Sequence, residues 1–298
     1  MRASAELRSG FGLKTALPWQ VKIAAKLLLA RLPVEYAYWR KLGLFLHGEM
    51  AKPQYAYGVF KQHFDRAALP RRSGGFVGME IGPGDSLFSA LVAYAFGATE
   101  VYLADAGDYA RRDLESYQAM HRFLLECGLP TADISGCDSV KEILAACNAR
   151  YLTSGVESLK SLPNEAIDFV WSHAVLEHIR RSEFVEFLHQ LRRVLRRDGV
   201  CSHRIDLMDH LGGALNNLRF SERLWESDLV ANSGFYTNRI RFSEMLKLFE
   251  RAGFAVEVLH MNRWKQLPTP RSKLASEFTG FSDDDLSISG FDVLLRLA

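Results

Sequence analysis

The sequence is notable first for what it lacks. No apolar run approaches the roughly 18 residues that a bilayer-spanning helix needs. Charge of either sign is not in excess: 37 Lys and Arg stand against 35 Asp and Glu, a formal net charge of +2, which excludes the strongly basic profile of a nucleic-acid binder. Cysteine is scarce, and Cys127, Cys137, Cys147 and Cys201 form no C-x-x-C pair. That argues against a disulfide framework and a cysteine metal site, and it points to a reducing compartment, the cytoplasm. A secretory leader is not indicated either, because the apolar stretch 21–30 is interrupted by Lys22 and Lys26. Internal repeats and low-complexity tracts are also missing.

What remains has an ordinary globular composition, 48% hydrophobic and 24% charged, with enough chain for one large or two modest domains. Residues 1–73 read as an N-terminal helical cap, with helical patterns over 19–31, 36–46 and 55–64 and a Pro-Arg-Arg-Ser-Gly-Gly linker behind them. The segment 19–31 is basic and amphipathic. It reads as a helix packed on its own protein, with peripheral membrane contact or a transit segment as alternatives. From Phe76 on, strands and helices alternate. Strands are expected at 76–81, 101–104, 151–153, 167–172, 200–207, 254–259 and 291–297. Helices are expected at 86–96, 109–125, 140–146, 184–195 and 243–252. This predicts an α/β fold over 74–298, a doubly wound and mostly parallel sheet, with irregular insertions near 208–242 and 262–288.

The chemistry centres on Glu80-Ile-Gly-Pro-Gly-Asp-Ser86, where a strand runs through a glycine turn into a helix. Glycine lets backbone approach a ligand closely. Asp105 closes the second strand about 20 residues on, where a ribose-binding acid is expected. A dinucleotide would want a third glycine, but Ser86 stands near that place, and Glu80 would repel a pyrophosphate. An acid there suits a cationic, phosphate-free ligand, as S-adenosylmethionine is.

These residues resemble motif I of the class I S-adenosylmethionine (SAM)-dependent methyltransferases. The resemblance continues through Val101–Asp105, through the segment 161–178 that ends Val-Leu-Glu-His178, which is similar to the type 11 group, and through the helix and turn at 188–199. It covers roughly residues 74–207 and implies a Rossmann-like, seven-stranded methyltransferase fold with SAM as cofactor. Two departures are Ser86 for the third glycine and the lack of an evident adenine-reading acid at Ser154–Glu157. The resemblance implies that Glu80 orients the methionine amino group and Asp105 holds the ribose hydroxyls. Gly82, Pro83, Gly84, Asp85, Ser86 and Ala106 would line the cofactor, with Val156, Glu157, Ser172, His173 and Leu176 completing the site.

Acceptor chemistry should lie at the carboxyl ends of strands four and five. His173 ends the fourth, and 203–210 is dense in ionisable groups. Asp209-His210 reads as an oriented base, with His173 as a second candidate. His203, Asp206 and Asp209 are the alternative, a divalent metal set, although the primary expectation is no metal. Asp206, Trp225, Tyr236, Asn238, Arg239 and Arg241 are expected to bind a polar acceptor, a small molecule or a saccharide. O-methylation follows as the leading function. N- or C-methylation and a catalytically idle binding or assembly protein are the alternatives, and a dehydrogenase is disfavoured by Glu80 and the absent glycine.

Overall fold

The computed structural model describes residues 18–21, 23, 49–69 and 74–298. Seven strands, β1 (Phe76–Ile81), β2 (Ala98–Ala104), β3 (Ala149–Leu152), β4 (Ile167–His173), β5 (Leu195–Asp206), β6 (Phe254–Arg263) and β7 (Ile288–Leu297), form one sheet in the order 3-2-1-4-5-7-6. All neighbours are parallel except β7, which runs antiparallel to both β5 and β6. The mostly parallel, doubly wound sheet read from the alternation is the one observed. The strand order reverses direction between β1 and β4, which places a ligand crevice at the carboxyl ends of those strands.

Each face of the sheet carries its own apolar cluster. One face holds Phe76, Phe169, Trp171, Val200 and Leu294 under helices α1 (Pro53–Ala67), α2 (Phe88–Ala95), α3 (Leu114–Glu126) and α4 (Val140–Ala146). The other holds Met79, Val170, Cys201 and Val293. It lies under α5 (Val156–Lys160), α6 (Arg181–Val194) and α9 (Phe242–Arg251), with α7 (Glu222–Trp225), α8 (Asp228–Ala231) and α10 (Asp283–Ser287) in the insertions. Helix α6 buries Phe184, Phe187, Leu188, Leu191 and Val194, the spacing of one helical stripe.

Helix α1 begins with Pro53 in its first turn, where the missing N–H costs nothing, and buries Ala56, Val59, Phe60, His63 and Ala67 on one stripe. The stripe lies directly on the sheet. The Phe60 ring meets Trp171 at 5.0 Å and Phe96 at 5.2 Å in edge-to-face contacts. The segment read as an N-terminal cap therefore contributes a helix to the sheet's own core. Of the expected helix over 19–31, only Trp19–Val21 and Ile23 are described. Trp19 packs edge-on to Phe220 of the first insertion at 5.9 Å, and Ile23 joins the same cluster. The rest of 19–31, the helix expected over 36–46 and the linker residues 70–73 lie outside the described residues.

Boundaries shift for identifiable reasons. The second helix of the core starts at Phe88 rather than Ser86, because residues 82–87 are held in the turn. The third starts at Leu114 rather than Tyr109, since Asp113 caps it by accepting the Ser116 N–H at 3.2 Å. The turn expected at Asp198-Gly199 is instead a register irregularity within β5. Among the described residues no helix is long and apolar enough to cross a membrane.

Replacing Phe60 by alanine should cost about 3–5 kcal/mol, the usual loss for a buried aromatic. Urea unfolding should show it as a lowered midpoint at unchanged slope.

Candidate functional site

The turn after β1 is built from two left-handed glycines, Gly82 at φ 71° and Gly84 at φ 65°. A Cβ on Gly82 would sit 2.5 Å from the Val175 side chain, so only glycine fits under that residue. Asp105, at the end of β2, fixes the turn from the side. Its two carboxylate oxygens accept the Gly84 N–H at 2.8 Å and the Ala106 N–H at 2.7 Å. Its own carbonyl accepts the Gly155 N–H at 2.8 Å, which sets the entry to α5, where Val156 is half-buried and Glu157 is exposed and paired with Lys160.

The start of α2 is closed to phosphate. The Leu87 N–H donates to the Tyr117 hydroxyl and the Phe88 N–H to the Ser86 hydroxyl, both at 3.3 Å. Pro83 and Asp85 are buried, and the Asp85 carbonyl accepts the Arg111 N–H at 2.9 Å. Below the turn lies Glu80, buried, with the Ser89 hydroxyl donating to its carboxylate. Burial raises its pKa to about 7. A helix start whose Leu87 and Phe88 N–H groups are already taken, over a buried acid, fits a cationic and phosphate-free cofactor better than a dinucleotide.

The exits of β4 and β5 differ from expectation. His173 faces α1, where its Nδ1 lies 3.3 Å from His63 Nε2, and His63 Nδ1 lies 2.8 Å from the Ser202 hydroxyl. Burial, then Arg204, lowers the His173 pKa to about 4, and burial holds His63 well below its usual value. His173 is thus a weakly basic, structural imidazole rather than an open base. Arg66 of α1 pairs with Asp292 of β7 at 2.9 Å beside it. Ser172 points to the opposite face and is fully buried, 2.7 Å from His203 Nδ1. Leu176 is a core residue of that face. Neither Ser172 nor Leu176 offers the open surface expected of a cofactor contact.

Asp209 does not orient His210. One carboxylate oxygen accepts the N–H groups of Leu211, Gly212 and Ala214, and the other accepts that of Asn216 at 2.6 Å, so the acid shapes its own loop. His203, Asp206 and Asp209 do not form a metal set: His203 is buried against Ser172, and Asp206 accepts the Met208 N–H at 2.9 Å. Among the described residues the grouping with metal-ligand spacing is Glu177, His178 and His210, with one ligand atom from each lying within 4.8 Å of the others. The His178 and His210 rings meet at right angles, 4.7 Å between centroids.

The expected acceptor residues mainly hold the first insertion together. Trp225 donates to the Thr237 carbonyl, and the Tyr236 hydroxyl donates to Glu226, each at 2.8 Å. Asn238 Nδ2 donates to the carbonyls of Leu176 and Ile179. Arg239 donates to the Phe220 carbonyl and stacks over Trp225 and Phe278. Arg241, fully buried, donates to the carbonyls of Leu207, Asp285, Leu286 and Ile288. Buried guanidinium groups need such partners, and here they tie one insertion to the other. Two further residues take part, His63, a satisfied packing histidine, and Glu177. The helical stripe of α1 carries a signal for the first. Glu177 stands inside the Val-Leu-Glu-His segment that carried the family resemblance.

Residues 118–202, from α3 into β5, match the family model described as Methyltransferase domain. No curated protein matches the chain significantly. Among solved structures the chain is similar to the YcgJ protein of Bacillus subtilis, at 15% identity over 82% of this chain and 99% of that one, with a TM-score of 0.43. A SAM-dependent methyltransferase of Mesorhizobium loti matches at 16% identity, over 78% and 94% of the two chains, with a TM-score of 0.42. One of Archaeoglobus fulgidus matches at 12%, over 82% and 94%, with a TM-score of 0.45.

Substituting Gly82 by alanine should destabilise the fold by about 1–2 kcal/mol from the left-handed backbone, plus the contact with Val175. Adding Val175→Ala should recover the contact part, so unfolding of the single and double variants should be non-additive by about 0.5 kcal/mol or more.

Proposed function

We propose that the chain is a class I SAM-dependent methyltransferase that methylates an oxygen of a small-molecule or saccharide acceptor, with His210 removing the acceptor's proton. One observation carries this reading: the exposed imidazole of His210 shares the rim after β4 and β5 with His178, and the same rim segment seats Val175 on the cofactor turn. SAM, when bound, supplies a methyl group on a sulfonium, a good leaving group. The protein's work is therefore alignment, worth up to about 7–11 kcal/mol, and removal of a proton.

The residues divide that work. Asp105, at the end of β2 beside the glycine turn, would accept the ribose hydroxyls. Glu80 would face the methionine ammonium across the turn, with its charge favoured by that cation. Gly82 and Gly84 let the backbone close on the cofactor. His210, exposed on the rim after β5, would accept the acceptor's proton. His173 cannot take this role while burial keeps its pKa near 4. Four free thiols support a cytoplasmic location.

Two outcomes test the reading. Glu80 is largely neutral below pH 7 in the free chain, so charging it for the ammonium releases a proton. Affinity for S-adenosylhomocysteine should rise, by up to about tenfold per pH unit, as pH climbs towards 7 and level off above it. Glu80→Gln should flatten that profile in calorimetry. His210→Ala should lower kcat by about 10²–10⁴ with the cofactor KM unchanged, in an acceptor screen with labelled methyl. Wild-type turnover in that variant would remove His210 from the mechanism.

A further inference from the structure

We propose that Glu177, His178 and His210 form a binding site for one divalent transition-metal ion. Glu177 is 1% exposed, and neither of its carboxylate oxygens has a hydrogen-bond partner. A buried carboxylate without partners is costly, and such groups are ordinarily paired or bound to a metal. Two imidazoles lie beside it, with the Asp206 carboxylate and the Arg204 guanidinium also near, and one ligand atom from each of Glu177, His178 and His210 lies within 4.8 Å of the others.

The tautomers and the scaffold suit coordination. His178 Nδ1 lies 2.9 Å from the Tyr236 carbonyl, so it carries the hydrogen and Nε2 keeps its lone pair. A histidine ligand is commonly held this way, with the second nitrogen donating to a carbonyl. The short turn carrying Glu177 and His178 is fixed by Asn238, whose N–H donates to the Glu177 carbonyl at 2.7 Å and whose side chain donates to Leu176 and Ile179. His210 rides on the loop that the Asp209 carboxylate shapes. Three ligands thus come from two braced loops, which limits the reorganisation that binding requires. Both imidazoles are exposed, so an ion has a path in and water can complete its shell.

Two nitrogens and one oxygen select the metal class. Ca²⁺ and Mg²⁺ prefer all-oxygen shells, whereas two histidines and a carboxylate suit Zn²⁺, Co²⁺, Fe²⁺ or Mn²⁺ with open positions. The inference goes beyond methyl transfer. Coordination takes the lone pair through which His210 accepts a proton, so the metal-loaded and proton-accepting states of that imidazole exclude each other. The rim would then have two states set by metal supply.

The test uses the full chain, stripped with a chelator, dialysed and titrated with Co²⁺, with neither cofactor nor acceptor present. One ion per chain should bind, with visible d–d absorption and no thiolate charge-transfer band, which separates this site from the cysteines. Glu177→Gln and His210→Ala should each weaken binding at least tenfold. His260→Ala, an exposed histidine on β6, should not change it. Glu177 is buried, so circular dichroism should accompany its variant, and the exposed His210 keeps the test readable if that variant misfolds. Sub-stoichiometric binding, a thiolate spectrum, or wild-type affinity in a folded His210→Ala chain would overturn the proposal. Because no methyl transfer is measured, its failure leaves the methyltransferase reading standing, and failure of His210 as a base leaves this site standing.

Discussion

The cofactor end of the molecule depends on one carboxylate. Asp105 binds the N–H groups of Gly84 and Ala106 and, through its backbone, Gly155, so a single residue fixes the loops after β1, β2 and β3 against one another. Charge-assisted bonds from backbone N–H groups to an ionised acid are strong and directional. The constraint is local, yet everything placed by those loops inherits it. The left-handed glycines are held where Val175 can cover them, and Val175 belongs to the segment that leads into Glu177 and His178. The glycine turn after β1 and the rim after β4 are thereby one mechanical unit.

Helix α1 supplies a second constraint of a different kind. Its apolar stripe completes the face of the sheet that α2 and α3 leave open, but it also brings a histidine and an arginine into contact with β4, β5 and β7. Both faces of a largely parallel sheet must be covered. Here the cover is polar at its carboxyl end, where His63, His173, Arg66 and Asp292 meet beneath the rim. A fully apolar helix would bury the same area, but it would leave Asp292 beside Arg204 alone, 3.8 Å away.

The sheet and its order of elements were legible in the sequence, because a period-two pattern broken by helical stripes leaves few topologies open. That Glu80, the glycine turn and Asp105 meet at adjacent strand ends was legible as well, since that placement follows from adjacency along the chain. The acceptor side was not. Asp209 looks like a partner for His210 because they are consecutive, but consecutive residues at a loop point apart, and the acid closed on four backbone N–H groups instead. Trp225, Tyr236, Asn238, Arg239 and Arg241 look like ligand contacts because aromatics and guanidinium groups often are. Their partners turned out to be backbone carbonyls and the Glu226 carboxylate, scattered from Leu176 to Ile288, which no local spacing announces. Glu177 was hidden for the opposite reason: it looked like part of a family signature, and its lack of partners appears only in three dimensions.

The position of β7 has a consequence for how the protein is made. That strand, residues 288–297, lies between β5 and β6, and its Asp292 pairs with Arg66, 226 residues earlier. Until it emerges from the ribosome, β5 has an unpaired edge, β6 has no neighbour, and the polar end of α1 has no counter-ion. A nascent chain holding β1 to β6 is therefore an open sheet with sticky edges, the kind of species that aggregates or engages chaperones. Synthesis of the last strand is the step that converts this intermediate into a closed sheet. The sheet is consequently completed only once residues 288–297 are free to pair with both β5 and β6.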